Sequence, residues 1–227
     1  MNLSSETLSV LKNFSTINSN LVIRPGNVIK TMSEAKNVMA LATVSEQFPN
    51  EFGVYDLNEF LSVLSMFDHP SLAFDTDMKY VSIVEGKRAV KYFFSDTSIL
   101  TSPSKDITMP PAEVKFTLTA DDLNSMRKAA AALGVSDVVI TNSEAAGVVS
   151  VQVTDIKDNT SNSYGVDLDS NATSSEPFKF VFNIANFKLL NGDYDVSVSS
   201  KLISHFKNTS TDVEYFIALE KSSTFGE

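Results

Sequence analysis

Polar and apolar residues alternate along this chain in one grammar that recurs four times. Each copy has a short run of strand period, a polar capping residue, an apolar stripe at helical period, and then strand-like runs joined by a turn. The helical stripes begin near Ser5, Asp56, Thr119 and Asn183. In the first copy the stripe is Leu8, Leu11 and Phe14. In the second, Asp56-Leu-Asn-Glu59 has the form of a capping box, because each end side chain can satisfy an orphan backbone N–H, and Leu57, Phe60, Leu61 and Leu64 share one face. The third opens with Val114 to Leu118, alternating as a half-buried strand does, and Thr119 caps a helix with Leu123, Met126, Ala130 and Leu133 on one side. Gly134 ends it. The fourth opens with Phe178 to Phe182 and predicts a shorter helix from Ile184 to Leu190, ended by Asn191-Gly192.

A hairpin candidate follows each helix. The predicted turns lie at Pro25-Gly26 after Leu21 to Ile23, at Asp75 to Asp77 after Leu72 to Phe74, from Asn142 to Gly147 after Val138 to Ile140, and near Ser200 after Tyr194 to Val198. The proline-rich stretch from about 96 to 111 reads as a connector. Two similar domains follow, 1–110 including the connector and 111–227, each holding two strand-helix-hairpin units. With helices on one face of antiparallel sheets, the class is α+β.

Composition narrows the function more by exclusion than by suggestion. A length of 227 residues suits two domains that each bury a core, and no apolar stretch approaches the roughly 20 residues a membrane span needs. No secretion signal is seen at Met1 to Ser9, so a cytosolic location is expected and the glycosylation patterns at Asn171 and Asn208 carry no meaning. Cysteine is absent, which removes disulfides, thiolate zinc sites and cysteine nucleophiles. His69 and His205 read as surface or structural residues. Asp167-Leu-Asp169-Ser-Asn171 starts like a calcium loop, but Ala172 replaces the required glycine and Phe178 stands in place of the bidentate glutamate. No metal, cofactor or catalytic residue set is expected, and an enzyme is disfavoured.

The net charge of −10 argues against an ordinary groove-binding DNA protein, since phosphate neutralisation usually demands a basic one. The helices carry a different message. Ser5, Ser9, Lys12 and Thr16 lie opposite the apolar stripe of the first helix; Lys128 lies opposite that of the third, with Arg127 flanking and Asn124 and Ser125 adding neutral donors. Such a face is either simply solvated or, if subunits assemble about a hole, the lining of a positive channel. A ring of that kind would repel DNA outside and hold it inside by topology, so weak contacts would suffice and permit sliding.

With this organisation the chain resembles the DNA polymerase sliding clamps, or processivity factors, of T-even-like bacteriophages. The resemblance is carried by Leu11-Lys-Asn-Phe14, Tyr55-Asp-Leu-Asn58, Phe60-Leu-Ser-Val-Leu64, Thr119-Ala-Asp-Asp-Leu123, Val139-Ile-Thr-Asn142, Phe182-Asn-Ile-Ala-Asn186, Gly192-Asp-Tyr194 and Tyr215-Phe-Ile-Ala-Leu219, in order from residue 1 to about 220. It implies the DNA clamp fold and a homotrimeric ring closed head to tail, with helices toward double-stranded DNA. It implies as partners a DNA polymerase, an ATP-driven clamp loader and, through phage factors, host RNA polymerase at late promoters, in the cytoplasm of an infected bacterium.

By family position the DNA-facing candidates are Lys12, Arg127, Lys128 and Lys188. The client-peptide pocket would use Ile99, Leu100, Ile107 and Met109 of the connector with Phe216, Ala218 and Leu219 of the last long strand; each could equally be a core residue. One departure stands out: the second helix carries no Lys or Arg and has Glu59, a gap that Lys87, Arg88 and Lys91 would fill only if their strand faces the same way. A phage structural or adhesion protein is the alternative, disfavoured by four capped helices at corresponding places.

Overall fold

Ser4 starts the first helix by leaving helical geometry (φ −71°, ψ 159°) and accepting a hydrogen bond from the Thr7 amide at 3.1 Å, so one of the orphan donors of α1 (Ser5–Ile17) is satisfied. The helix buries Val10, Leu11, Phe14 and Ile17, the inner face of the predicted stripe, and leaves Ser5, Ser9, Lys12 and Thr16 on its outer side. Strands β1 (Leu21–Ile23), β2 (Gly26–Met32), β3 (Val38–Phe48) and β4 (Phe52–Val54) follow. Then Asp56 caps α2 (Leu57–Leu64) through the amides of Asn58 and Glu59, at 2.9 and 3.0 Å, and β5 (Ser71–Phe74), β6 (Tyr80–Glu85) and β7 (Arg88–Phe93) form an antiparallel sheet in that order.

This computed structural model describes residues 1–143, 147–170 and 176–226, and its contacts divide the chain into units Met1–Asp106 and Ile107–Glu227. In the second unit come β8 (Val114–Leu118), α3 (Ala120–Leu133), β9 (Asp137–Asn142), β10 (Val148–Thr154) and β11 (Tyr164–Asp169). They are followed by β12 (Phe178–Asn183), a 3-10 turn at Ile184–Asn186, β13 (Tyr194–Ser199), β14 (Ile203–Asn208), β15 (Val213–Ala218) and β16 (Thr224–Phe225). Thr119 caps α3 through the Asp122 amide, and Gly134 closes it in the left-handed conformation (φ 68°), where a Cβ would be strained. The resulting α+β fold is the one expected.

The strands interleave. Within the second unit β9 pairs with β12 (Ile140 opposite Phe180) and β8 with β13 (Phe116 opposite Val196), so the strand that opens each copy of the repeat pairs with a strand of the other copy. The first unit follows the same rule: β1 pairs with β4, and Met1 and Leu72 exchange both backbone hydrogen bonds, at 2.9 and 2.7 Å, as opposed residues of an antiparallel ladder do. Pairing of this kind presses two apolar stripes into one core per unit. Phe14, Val54, Leu57 and Ile83 fill the first, and Leu118, Leu123, Phe182, Tyr194 and Phe206 the second, each residue no more than 1 % exposed. A large apolar side chain buried to that extent contributes about 1.5–3 kcal/mol.

Two expectations differ from the structure. Pro25-Gly26 does turn the chain, but the ladders run from β1 to β4 and from β2 to β3, because β1 has only three residues and Gly26 takes a φ of 111°. The helix predicted from Ile184 to Leu190 is a single 3-10 turn. Its backbone groups go elsewhere: Arg127 Nη2 donates to the carbonyls of Phe187 and Leu189, the Leu190 amide donates to Tyr215 Oη (3.0 Å), and Tyr194 Oη donates to the Leu190 carbonyl (2.6 Å). Side chains from other elements thus satisfy what a helical ladder would have satisfied. Part of the turn predicted from Asn142 to Gly147, and positions Asn171 and Ala172 of the calcium-like run, lie outside the described residues.

Candidate functional site

The polar helix faces are where the candidate cations sit. Lys12 is exposed on α1, at the rim of a cleft of about 160 Å³ lined by Leu8, Leu61, Phe67 and His69. Lys128 is exposed on α3. Lys188 is half-buried in the non-helical segment after the 3-10 turn. Arg127 is also half-buried, and its guanidinium is committed to the carbonyls of Phe187 and Leu189 (3.1 Å for the latter). Desolvation pushes its pKa below the ordinary guanidinium value, against a smaller opposite push from Tyr194 and Tyr215.

The outer face of α2, Asn58, Glu59, Ser62 and Ser65, carries no cation, as expected. Of the strand cations that could compensate, Arg88 pairs with Glu85, lies 5.4 Å from the Phe67 ring centroid and donates to the Met66 carbonyl at the end of α2 (3.4 Å). Lys91 lies over the Tyr80 ring at 4.1 Å. Lys87 is exposed in the turn between β6 and β7. Behind α2, burial and the charges of Glu59 and Asp56 push the Tyr92 phenol up to about 12, so it stays a neutral donor to the Asp56 carbonyl.

The client-pocket candidates fall in both units. In the first, Ile99 is 68 % exposed while Leu100 is buried against Gly53, so adjacent connector residues face opposite environments. In the second, Ile107 and Met109 are half-buried. Phe216 is buried and stacks on His205 (centroids 4.7 Å, 19°), whose Nε2 lies 2.6 Å from Glu214 Oε2. Ala218 sits two residues on along the same face of β15, opposite Ile203, and Leu219 is buried, its amide donating to the Leu202 carbonyl.

A basic cleft of about 400 Å³ was not legible in the sequence. Arg24 and Lys30 from around β2 meet Lys105 of the connector, with Val22, Val28 and Pro103 as apolar walls. Arg24 donates to Ser102 Oγ (3.0 Å) and faces Glu51, and Lys30 pairs with Asp106. These cations are far apart along the chain, so no charge run announces them. Among the described residues, no group of three His, Asp or Glu side chains could hold a metal ion.

Known proteins resemble the chain along nearly its whole length. The family described as gp45 sliding clamp, C terminal, matches residues 115–221, and that described as DNA polymerase processivity factor matches residues 4–99. The sliding clamp of Vibrio phage KVP40 is 31 % identical over 224 residues, covering 97 % of this chain and 99 % of its own. That of Escherichia phage RB69 is 31 % identical, and that of Enterobacteria phage T4 27 %, each over 99 % of both chains. Among solved structures, the proliferating cell nuclear antigen of Thermococcus kodakaraensis superimposes with a TM-score of 0.73 over 97 % of this chain and 99 % of that one. The A. fulgidus protein, bound to the C-terminal region of FEN-1, gives 0.72 over 98 % of each. Both are 14 % identical and share the fold.

Proposed function

The chain belongs to the sliding-clamp family of DNA polymerase processivity factors, and from that premise we propose that it closes as a homotrimer around duplex DNA and tethers the replicative polymerase. This reading rests above all on the repeated unit, which keeps its helix in three of four copies and leaves a polar helix face in each half of the chain. The ring is not an enzyme; an ATP-dependent loader opens it and supplies the nucleotide chemistry, in the cytoplasm of the infected bacterium. Phage factors use the same ring to link host RNA polymerase to late promoters.

Closure would be head to tail, through sheet edges. β7 is the outer strand of its sheet and brings Arg88 and Lys91, with Lys87 before it; β11 is the outer strand of its own and brings Asp167 and Asp169. A basic edge meeting an acidic one gives a heterologous contact that favours ring closure over like-with-like pairing. Lys12, Lys128 and Lys188 would face DNA, and Ile99, Leu100, Ile107, Met109, Phe216, Ala218 and Leu219 would take part in binding client peptides.

Multi-angle light scattering at several concentrations tests the ring. A species of three times 24.8 kDa that dissociates on dilution is expected, and it should be retained on circular but not on linear DNA after loading. A strict monomer at high concentration would sink the proposal.

A further inference from the structure

The fourth copy of the repeat lacks its helix, and α3 takes over the task of fixing that segment. Arg127 Nη2 reaches the carbonyls of Phe187 and Leu189, the residues on either side of Lys188. Asn124, one turn earlier on α3, donates to Asn191 Oδ1 at 3.2 Å. From the sheet, Tyr215 Oη accepts the Leu190 amide and Tyr194 Oη donates to the Leu190 carbonyl. Phe187 and Leu189 are each 4 % exposed, and the Phe187 ring packs edge-on against Phe182 and Phe206 at 5.5 and 5.4 Å. Lys188 therefore sits between two buried side chains whose carbonyls share one donor.

We propose that Arg127 is a positioning residue for Lys188: by gripping the backbone on both sides of it, the guanidinium fixes how that lysine is presented to DNA. The role rests on the DNA-facing reading given above. It assigns Arg127 an indirect part in place of the direct phosphate contact its helical position suggests. Arginine suits the task because the two N–H groups of Nη2 are fixed in the guanidinium plane and so serve two carbonyls from one rigid group, whereas a lysine ammonium is a point charge on a flexible stem.

Two measurements separate the structural claim from the functional one. In the DNA-free protein, Arg127→Met should speed hydrogen exchange of the Leu190 amide by about tenfold or more, as its bond to Tyr215 is freed to open. Unchanged exchange would show that Arg127 does not hold the segment. The second measurement is the salt dependence of binding to a short fluorescent duplex, whose log–log slope falls by about 0.9 for each phosphate the protein ceases to neutralise. Lys188→Ala should lower the slope; Arg127→Met and Arg127→Lys should lower it equally, and Arg127→Met combined with Lys188→Ala no further. Additive losses, or a slope kept by the charge-preserving Arg127→Lys, would mean that Arg127 meets phosphate itself and would overturn the proposal. A normal slope in Lys188→Ala would remove the DNA role of Lys188, and the positioning role with it, whatever exchange shows.

Discussion

Glu46 shows how one residue can tie distant parts of the chain together. It projects from β3, is 8 % exposed, and accepts hydrogen bonds from the Ser4 amide and the Thr7 hydroxyl at the start of α1. Burial alone would raise its pKa, but those bonds outweigh burial and hold it below the ordinary value of 4.5. The helix N-terminus favours the same charged form. A carboxylate whose folded pKa is depressed adds stability that is complete above its unfolded value and lost as pH falls through the folded one. Glu46→Ala is therefore expected to cost about 1–3 kcal/mol at pH 7, where buried donors lose their acceptor. Urea titrations followed by circular dichroism should show the gap between wild type and variant shrinking below pH 4.5. A gap independent of pH would deny the carboxylate this role.

At the scale of elements, Gly53 decides how the connector begins. A Cβ built there would lie 2.6 Å from Leu100 Cδ1 and 2.7 Å from the Ser95 carbonyl oxygen, and the Ser95 amide already donates to the Gly53 carbonyl at 2.9 Å. The leucine tip could move, but the backbone oxygen cannot without displacing the bridge. Gly53→Ala should destabilise the first unit by about 1–3 kcal/mol, as overpacking does, and should speed exchange of the Leu100 amide; wild-type stability would show that the strand relaxes freely.

The same scale shows which elements the sequence could reveal. The three helices were legible because a polar start and an apolar stripe coincide near Ser5, Asp56 and Thr119; Asp56 and Thr119 are the caps, and the first helix is capped one residue earlier than expected, by Ser4. The segment after Asn183 carries the same local signals, since Asn183 accepts from the Ala185 amide at 2.9 Å, yet it leaves helical geometry after one turn. What overrides propensity is tertiary, namely Arg127, Tyr194 and Tyr215, none of which belongs to the segment whose carbonyls and amide they bind. For that reason Arg127 resembled Lys128 on a helical wheel although the two are differently employed. The basic cleft around Arg24, Lys30 and Lys105 was hidden likewise, since only folding brings its cations together.

For the whole molecule, charge acts through assembly. In the proposed ring, a net charge of −10 on each chain would set the outer field, while a few exposed lysines on helix faces would suffice within a topological enclosure. The interleaved strands act on the chain itself. Because β8 pairs with β13 and β12 with β9, a polypeptide interrupted between Asp169 and Phe178 would leave each half of the second unit without strands that its sheets require. Neither fragment should show that unit's fold alone, and mixing them should restore it in equal proportion, with chemical-shift dispersion returning to both. The C-terminal half of this clamp is thus suited to fragment complementation, in which a folded signal reports that two separately made pieces have met.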